Sequence, residues 1–159
     1  MKFNNLTFKI FFLLTIIFGV ISPFIDYFVV IEMFYLLFPF AIILLFSIII
    51  FVVNLFRYRR KIFKQNSTFF IFIIPVFLFS QIVSVFVINK IQKLRSEVVL
   101  EKLKEDYKVF PNSINTSFGI KYQKLESANE FKLEYNRGFM VREIYFSNKN
   151  KWESFGWND

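Results

Sequence analysis

Residues 33–89 read MFYLLFPFAIILLFSIIIFVVNLFRYRRKIFKQNSTFFIFIIPVFLFSQIVSVFVIN, and this stretch decides the fold. It holds two uncharged runs, Met33 to Phe56 and Gln65 to Asn89, of twenty-four and twenty-five residues. A helix needs about 20 apolar residues to cross a hydrocarbon core about 30 Å thick, so each run is long enough to span a bilayer. Between them sit Arg57, Arg59, Arg60, Lys61 and Lys64. A basic cluster in a short loop between two spans is the pattern that keeps a loop cytoplasmic.

Toward the N-terminus lies a third uncharged run, Ile10 to Ile25, sixteen residues between Lys9 and Asp26. It is short, but Thr7 and Phe8 extend it if Lys9 snorkels to the interface. No small-residue cleavage site and no lipobox cysteine follows, which predicts an uncleaved first helix. The sequence therefore predicts a transmembrane domain over 1–89, with spans at about 8–25, 33–56 and 67–89. Laying the first run in the interface instead leaves two spans. Lys2 and Lys9 place the N-terminus on the cytoplasmic side with the basic loop. Three spans then put everything after Asn89 outside, a multi-pass protein of a bacterial inner membrane. Asp26 and Glu32 are expected as solvated residues of a short outer loop.

Polar residues inside the spans are few: Ser47, Asn54, Ser80, Gln81 and Ser84. Gln81 with Ser80 and Ser84 is expected to supply interhelical hydrogen bonds, and Gln81→Leu is expected to be tolerated. No row of buried charges of the kind coupled transporters carry is visible. Pro39 and Pro75 are expected to interrupt spans two and three.

Charge appears at Lys90. Seven basic and two acidic residues precede it, thirteen and ten lie from Lys90 to Asp159, and together they make the net +8. Residues 90–159 are expected to form a small extracytoplasmic α+β head. Ser96, Val99, Leu100, Leu103 and Tyr107 share one side of a helix continuing span three to about Lys108, and Pro111 closes it. Phe118, Ile120 and Tyr122 alternate with polar residues, as do Phe131, Leu133 and Tyr135. Asn136-Arg137-Gly138 signals a hairpin turn with a return strand Phe139 to Phe146, and Ser147 to Asn150 a second turn before Lys151 to Trp157. The fold class is thus a three-helix membrane bundle plus an extended third helix packed on a three- or four-stranded antiparallel meander.

A membrane helix running into an amphipathic helix, then Tyr107-Lys108-Val109-Phe110-Pro111-Asn112-Ser113-Ile114, then a meander containing Phe131-Lys132-Leu133-Glu134-Tyr135, resembles a type IV pilin or pseudopilin head. The resemblance covers about residues 85–159. It implies the shape of the head and the role of no residue.

Composition excludes several chemistries. The chain has no Cys and no His, so disulfides, thiolate nucleophiles, Cys/His zinc sites and Ser-His-Asp triads are ruled out. The net positive charge does not point to nucleic acid, because its strongest cluster lies between spans. Carboxylates of the head are scattered among basic residues and read as a mixed surface, and four glycines make no phosphate loop. No cofactor and no metal are expected. Late aromatics are the more suggestive feature: Tyr145 and Phe146, then Trp152, Phe155 and Trp157. A domain this small needs large side chains for its core, and an aromatic rim left exposed would dock a partner. Trp152, Phe155 and Trp157 are the candidate partner-binding residues.

The expected function is non-enzymatic. A helical anchor in membrane lipid holds a head that binds another protein, as an accessory subunit of an envelope complex or as an immunity protein against a membrane-acting toxin. The alternative is an oligomeric membrane effector or channel whose head senses a ligand. Self-association into a homo-oligomer is compatible with both.

Overall fold

Helix α1, Asn5–Ile21, is apolar on every side and carries only Lys9 as a charge. Pro23 ends it through a 3-10 turn, Ser22–Phe24, and Ile25 alone adopts extended backbone before the chain turns helical again. Helix α2, Asp26–Ile31, passes through a π turn, Glu32–Leu36, into α3, Leu37–Tyr58. The expected loop over 26–32 is therefore one residue of extended chain, and Glu32 sits inside a helix. Pro39 lies in the first turn of α3, directly after the π turn. It lacks the N–H that an uninterrupted ladder would need, and the widened turn takes up that missing bond. Arg59, at φ 44, ends the helix and donates its N–H to Leu55 O.

Helix α4, Ile73–Asp106, has 34 residues and is about 51 Å long at 1.5 Å per residue. Pro75 is in its first turn, where no N–H is required, and the turn at Phe72 interrupts the helical backbone between Ile71 and Ile73. The computed structural model describes residues 5–59, 71–106, 109–125 and 130–156. Lys2, Arg60, Lys61, Lys64, Tyr107, Lys108, Glu126 and Trp157 fall outside them, so readings placed on those residues, and on Gln65 to Phe70 of span three, lie outside the described residues.

Among the described residues three helices are long and apolar enough to cross a membrane: Leu6–Phe24, Asp26–Tyr58 and Ile73–Glu105. The chain divides into two compact units, Met1–Ser84 and Val85–Asp159. In the first, aromatic rings knit the helices: Phe18 stacks on Phe77 at 5.6 Å and meets Phe28 edge-on at 5.1 Å. At Gly19 the backbone of α1 comes close to α4. A Cβ there would lie 2.8 Å from Phe77 O and 2.9 Å from Ser80 Cβ.

The second unit holds the rest of α4 and a four-stranded antiparallel sheet in the order β1-β2-β3-β4. The strands are β1, Ile120–Leu125; β2, Glu130–Gly138; β3, Val141–Phe146; and β4, Lys151–Phe155. Alternation along β2 buries Phe131, Leu133 and Tyr135, which with Ile120, Tyr145 and Leu103 of α4 form the core. Ser96 is fully buried, and its small side chain suits a close helix–sheet approach. The segment 109–117 runs beside β1, held by Tyr122 Oη donating to Pro111 O at 2.7 Å and by Phe110 edge-on to Phe131 at 4.6 Å.

Two expectations for the head are corrected. Phe118, read as core, is 92% exposed, because Gly119 at φ 84 turns the chain and β1 starts only at Ile120. The first hairpin turn is not Asn136–Gly138. Asn136 Oδ1 accepts from Gly138 N at 2.8 Å in a bulge, β2 runs on through Gly138, and Phe139-Met140 make the turn. Both have positive φ, 51 and 59, a conformation that disfavours bulky side chains by roughly 1–2 kcal/mol each.

Candidate functional site

Two places in the described residues gather unusual chemistry, one in each unit. In the first unit, Gln81 of α4 is 2% exposed. Its Nε2 donates to Ser22 Oγ at 2.9 Å and to Glu32 Oε2 at 2.7 Å. Ser84 Oγ donates to Val20 O at 2.8 Å, and Ser80 Oγ turns back to Val76 O at 2.7 Å. The 3-10 turn puts Ser22 opposite Gln81, and the helical start at Asp26 brings Glu32 one further turn along to the same amide. Glu32 is thus a half-buried carboxylate inside a helix long and apolar enough to cross a membrane, whereas Asp26 is exposed as expected. An ionisable side chain inside a membrane-spanning helix is costly, which makes Glu32 a candidate functional residue with Gln81 as its partner. Nearby, α1, α3 and α4 line an apolar groove of about 320 Å³ with Phe11, Leu14, Phe18, Phe40 and Phe77.

In the second unit the face of the sheet away from α4 carries Ile144, Phe146 and Phe155. Phe146 and Phe155 meet edge-on at 6.1 Å. Charges frame them: Arg142 bonds Glu134 at 3.4 Å, and Glu153 accepts from Lys149 at 3.1 Å and Lys151 at 2.8 Å. Bonds from Lys151 and then Lys149 hold the Glu153 carboxyl below its ordinary value. A cleft of about 450 Å³ runs along β1 between Ile114, Thr116, Lys121 and Lys132.

The residues singled out from sequence are separated by strand parity. Trp152 packs on the inner face against Tyr135 at 5.5 Å and Tyr145 at 5.4 Å, as part of the core wall. Phe155, three residues on, faces the other way. The two therefore do not make one aromatic rim, and Trp157 lies outside the described residues. Phe146, which pairs across the ladder with Lys151, lies on the same face as Phe155, as alternation from Tyr145 requires. Of the basic connector, Arg57 stands 5.6 Å over the Tyr58 ring and Arg59 closes α3.

Among the described residues no group of three or more Asp or Glu side chains is placed to hold a metal ion. No family model, no curated protein and no solved structure matches this chain.

Proposed function

We propose that this chain is a non-enzymatic membrane protein whose head binds a protein partner on the outer face of its sheet. The observation that carries this reading is the Phe146–Phe155 pair, two half-buried aromatic rings held together on a charged face of the sheet. Aromatic side chains on a rigid sheet are the type that dominate binding energy at interfaces. Orientation follows the positive charges: Arg57, Arg59, Arg60, Lys61 and Lys64 stay cytoplasmic, and the head is outside the inner membrane of a bacterial cell. An accessory subunit of an envelope complex and an immunity protein against a membrane-acting toxin both suit this arrangement. A photo-crosslinking residue in place of Phe146 or Phe155, in the full chain in cells, is expected to give a discrete adduct with a second protein. Adducts absent at both positions but present at Lys121, on the β1 cleft, would move the site to the other edge of the sheet.

One observation favours a second reading, an oligomeric effector or channel. It is the Glu32–Gln81–Ser22 cluster, a polar chain within apolar helices. The readings part on topology, because a head that senses a cytosolic ligand must face the cytoplasm. Alkaline phosphatase fused after Asp159 is expected to be active. An inactive phosphatase, with a fluorescent protein bright at the same position, would favour the channel.

A further inference from the structure

The sheet has a direction along α4. Tyr135 Oη donates to Asn89 Oδ1 at 3.1 Å, near one end of the head. Lys104 Nζ donates to Asn150 Oδ1 at 3.0 Å, near the other. Strand β2 thus runs back toward Asn89 as it passes from Phe131 to Tyr135, and its hairpin, Phe139-Met140, continues past that level. Phe118 is at the same end, because its carbonyl accepts from Gln92 Nε2 at 3.4 Å and Ile120 pairs with Tyr135. Asn89 is also the last residue before charge enters α4 at Lys90, so it marks where this helix leaves the hydrocarbon. Gln92 is three residues further, about 4.5 Å at 1.5 Å per residue, which falls within a headgroup layer about 5–8 Å deep.

We propose that this end of the head is seated in the phospholipid interface, with Phe118 and the Phe139-Met140 tip entering the headgroup layer. The inference rests on α4 being a membrane span and is independent of which partner the outer sheet face takes. Three features of the rim fit lipid better than water. Phe118 is 92% exposed on a turn, while Phe110 and Phe131 of the same head pack into it or against it. Two-residue hairpin loops with positive φ at both positions normally use Asn, Asp or Gly, and here both places hold large apolar side chains despite the strained backbone. Charge at the rim suits phosphate. Lys90 and Lys93 are exposed on α4; of the carboxylates near this end, Glu143 is paired with Arg137 at 3.0 Å and Glu134 with Arg142 at 3.4 Å, while Glu97 lies one helical turn beyond Lys93. Aromatic rings and basic side chains together are what membrane interfaces select.

The chain contains no cysteine, so single thiols report without background. Nitroxides would be attached to Phe118→Cys and Phe139→Cys in the full chain, reconstituted in mixed phosphatidylcholine–phosphatidylglycerol vesicles. Phe86→Cys, exposed on the apolar part of α4, is the lipid reference, and Asn148→Cys, in the far turn, the water reference. Collision with oxygen relative to a water-soluble nickel chelate is expected to be several-fold higher at 118 and 139 than at 148, and below that at 86. Values at 118 and 139 equal to that at 148, with 86 reading lipid, would overturn the proposal and leave the span intact. Labels at 118 and 139 shielded from both reagents would overturn it in favour of a protein contact. If 86 reads water, α4 is not a span and the proposal falls with it.

Discussion

The two units of this chain are built inside-out with respect to each other. In Met1–Ser84 the buried positions include Ser22, Asn54, Ser80, Gln81 and Ser84, while Leu13, Leu14, Phe38, Leu45, Phe46 and Phe56 face outward. In Val85–Asp159 the buried positions include Leu103, Ile120, Phe131, Leu133, Tyr135 and Tyr145, and Ser96 is the one buried serine among the described residues. The head obeys the rule for water: apolar area leaves solvent, and stability comes from that transfer. In the helices the outward surface is apolar, so burying more of it gains little in lipid. Close approach at Gly19 and hydrogen bonds through Gln81 and Ser84 hold them instead. The difference shows that each unit is made for a different solvent.

The most severe test of that difference exchanges chemistry in the head. Leu133→Gln places an amide at a fully buried position of an inner strand, among the largely apolar side chains of the core. It forfeits about 2 kcal/mol of leucine burial and adds about 1–3 kcal/mol for an unbonded polar group. A loss near 4 kcal/mol is expected, enough to unfold a domain of this size. Both tryptophans of the chain, Trp152 and Trp157, are in the head, so intrinsic fluorescence of the full chain in mild detergent follows head unfolding in urea. A midpoint unchanged from the parent chain would mean that the head is not held by this core.

What the sequence made legible follows the same division. Uncharged runs reveal helices that can span, because a bilayer imposes a length and a composition that need no tertiary information. The stripe of Ser96, Val99 and Leu103 and the alternation of Phe131, Leu133 and Tyr135 revealed the core, because each is periodic within one element. Glu32 was misread as a loop residue, since its partner Gln81 is 49 positions away and no local pattern links them. Phe118 fitted the alternation of β1, but a glycine at positive φ ended the strand one residue too soon for it. Phe155 and Trp152 were grouped by composition when strand parity, present in the sequence, already set them apart.

A polar group inside the head sharpens the comparison. The Tyr135 hydroxyl is buried, donates to Asn89, and has its pKa pushed up to about 12, by burial first and by the nearby Glu143 charge second. Arg137 acts in the opposite direction and is outweighed. The native head therefore keeps this proton at a pH where the unfolded chain has lost it. The stability it supports is complete below pH 10, the ordinary tyrosine value, and is lost as pH rises through the window from 10 to about 12. Two pKa units correspond to about 3 kcal/mol. Urea midpoints by tryptophan fluorescence should fall across that window. In Tyr135→Phe they should fall less, from a starting point about 1 kcal/mol lower for the lost hydrogen bond. Equal slopes in the two proteins would place the alkaline sensitivity elsewhere.

The smallest expected effect is the mirror image of the largest. Gln81→Leu exchanges chemistry in the opposite direction, putting an apolar side chain where the helices bury an amide. Ser22 and Glu32 both lose a donor, so the change is not silent. Hydrogen bonds between membrane helices are nonetheless worth only about 0.6–2 kcal/mol, because the separated helices also find partners. The leucine meanwhile fills much of the same volume beside Ser22 and Glu32. A cost near 1 kcal/mol is expected, read as the shift in the dodecyl sulfate fraction at which helical circular dichroism of the full chain is lost. That is well below the loss for Leu133→Gln, and the asymmetry is the content of the comparison. Were Gln81→Leu to cost as much, the Glu32 carboxylate would need its amide to remain in the membrane at all. The cluster would then be a buried charge held for use, which is the observation that favours the channel.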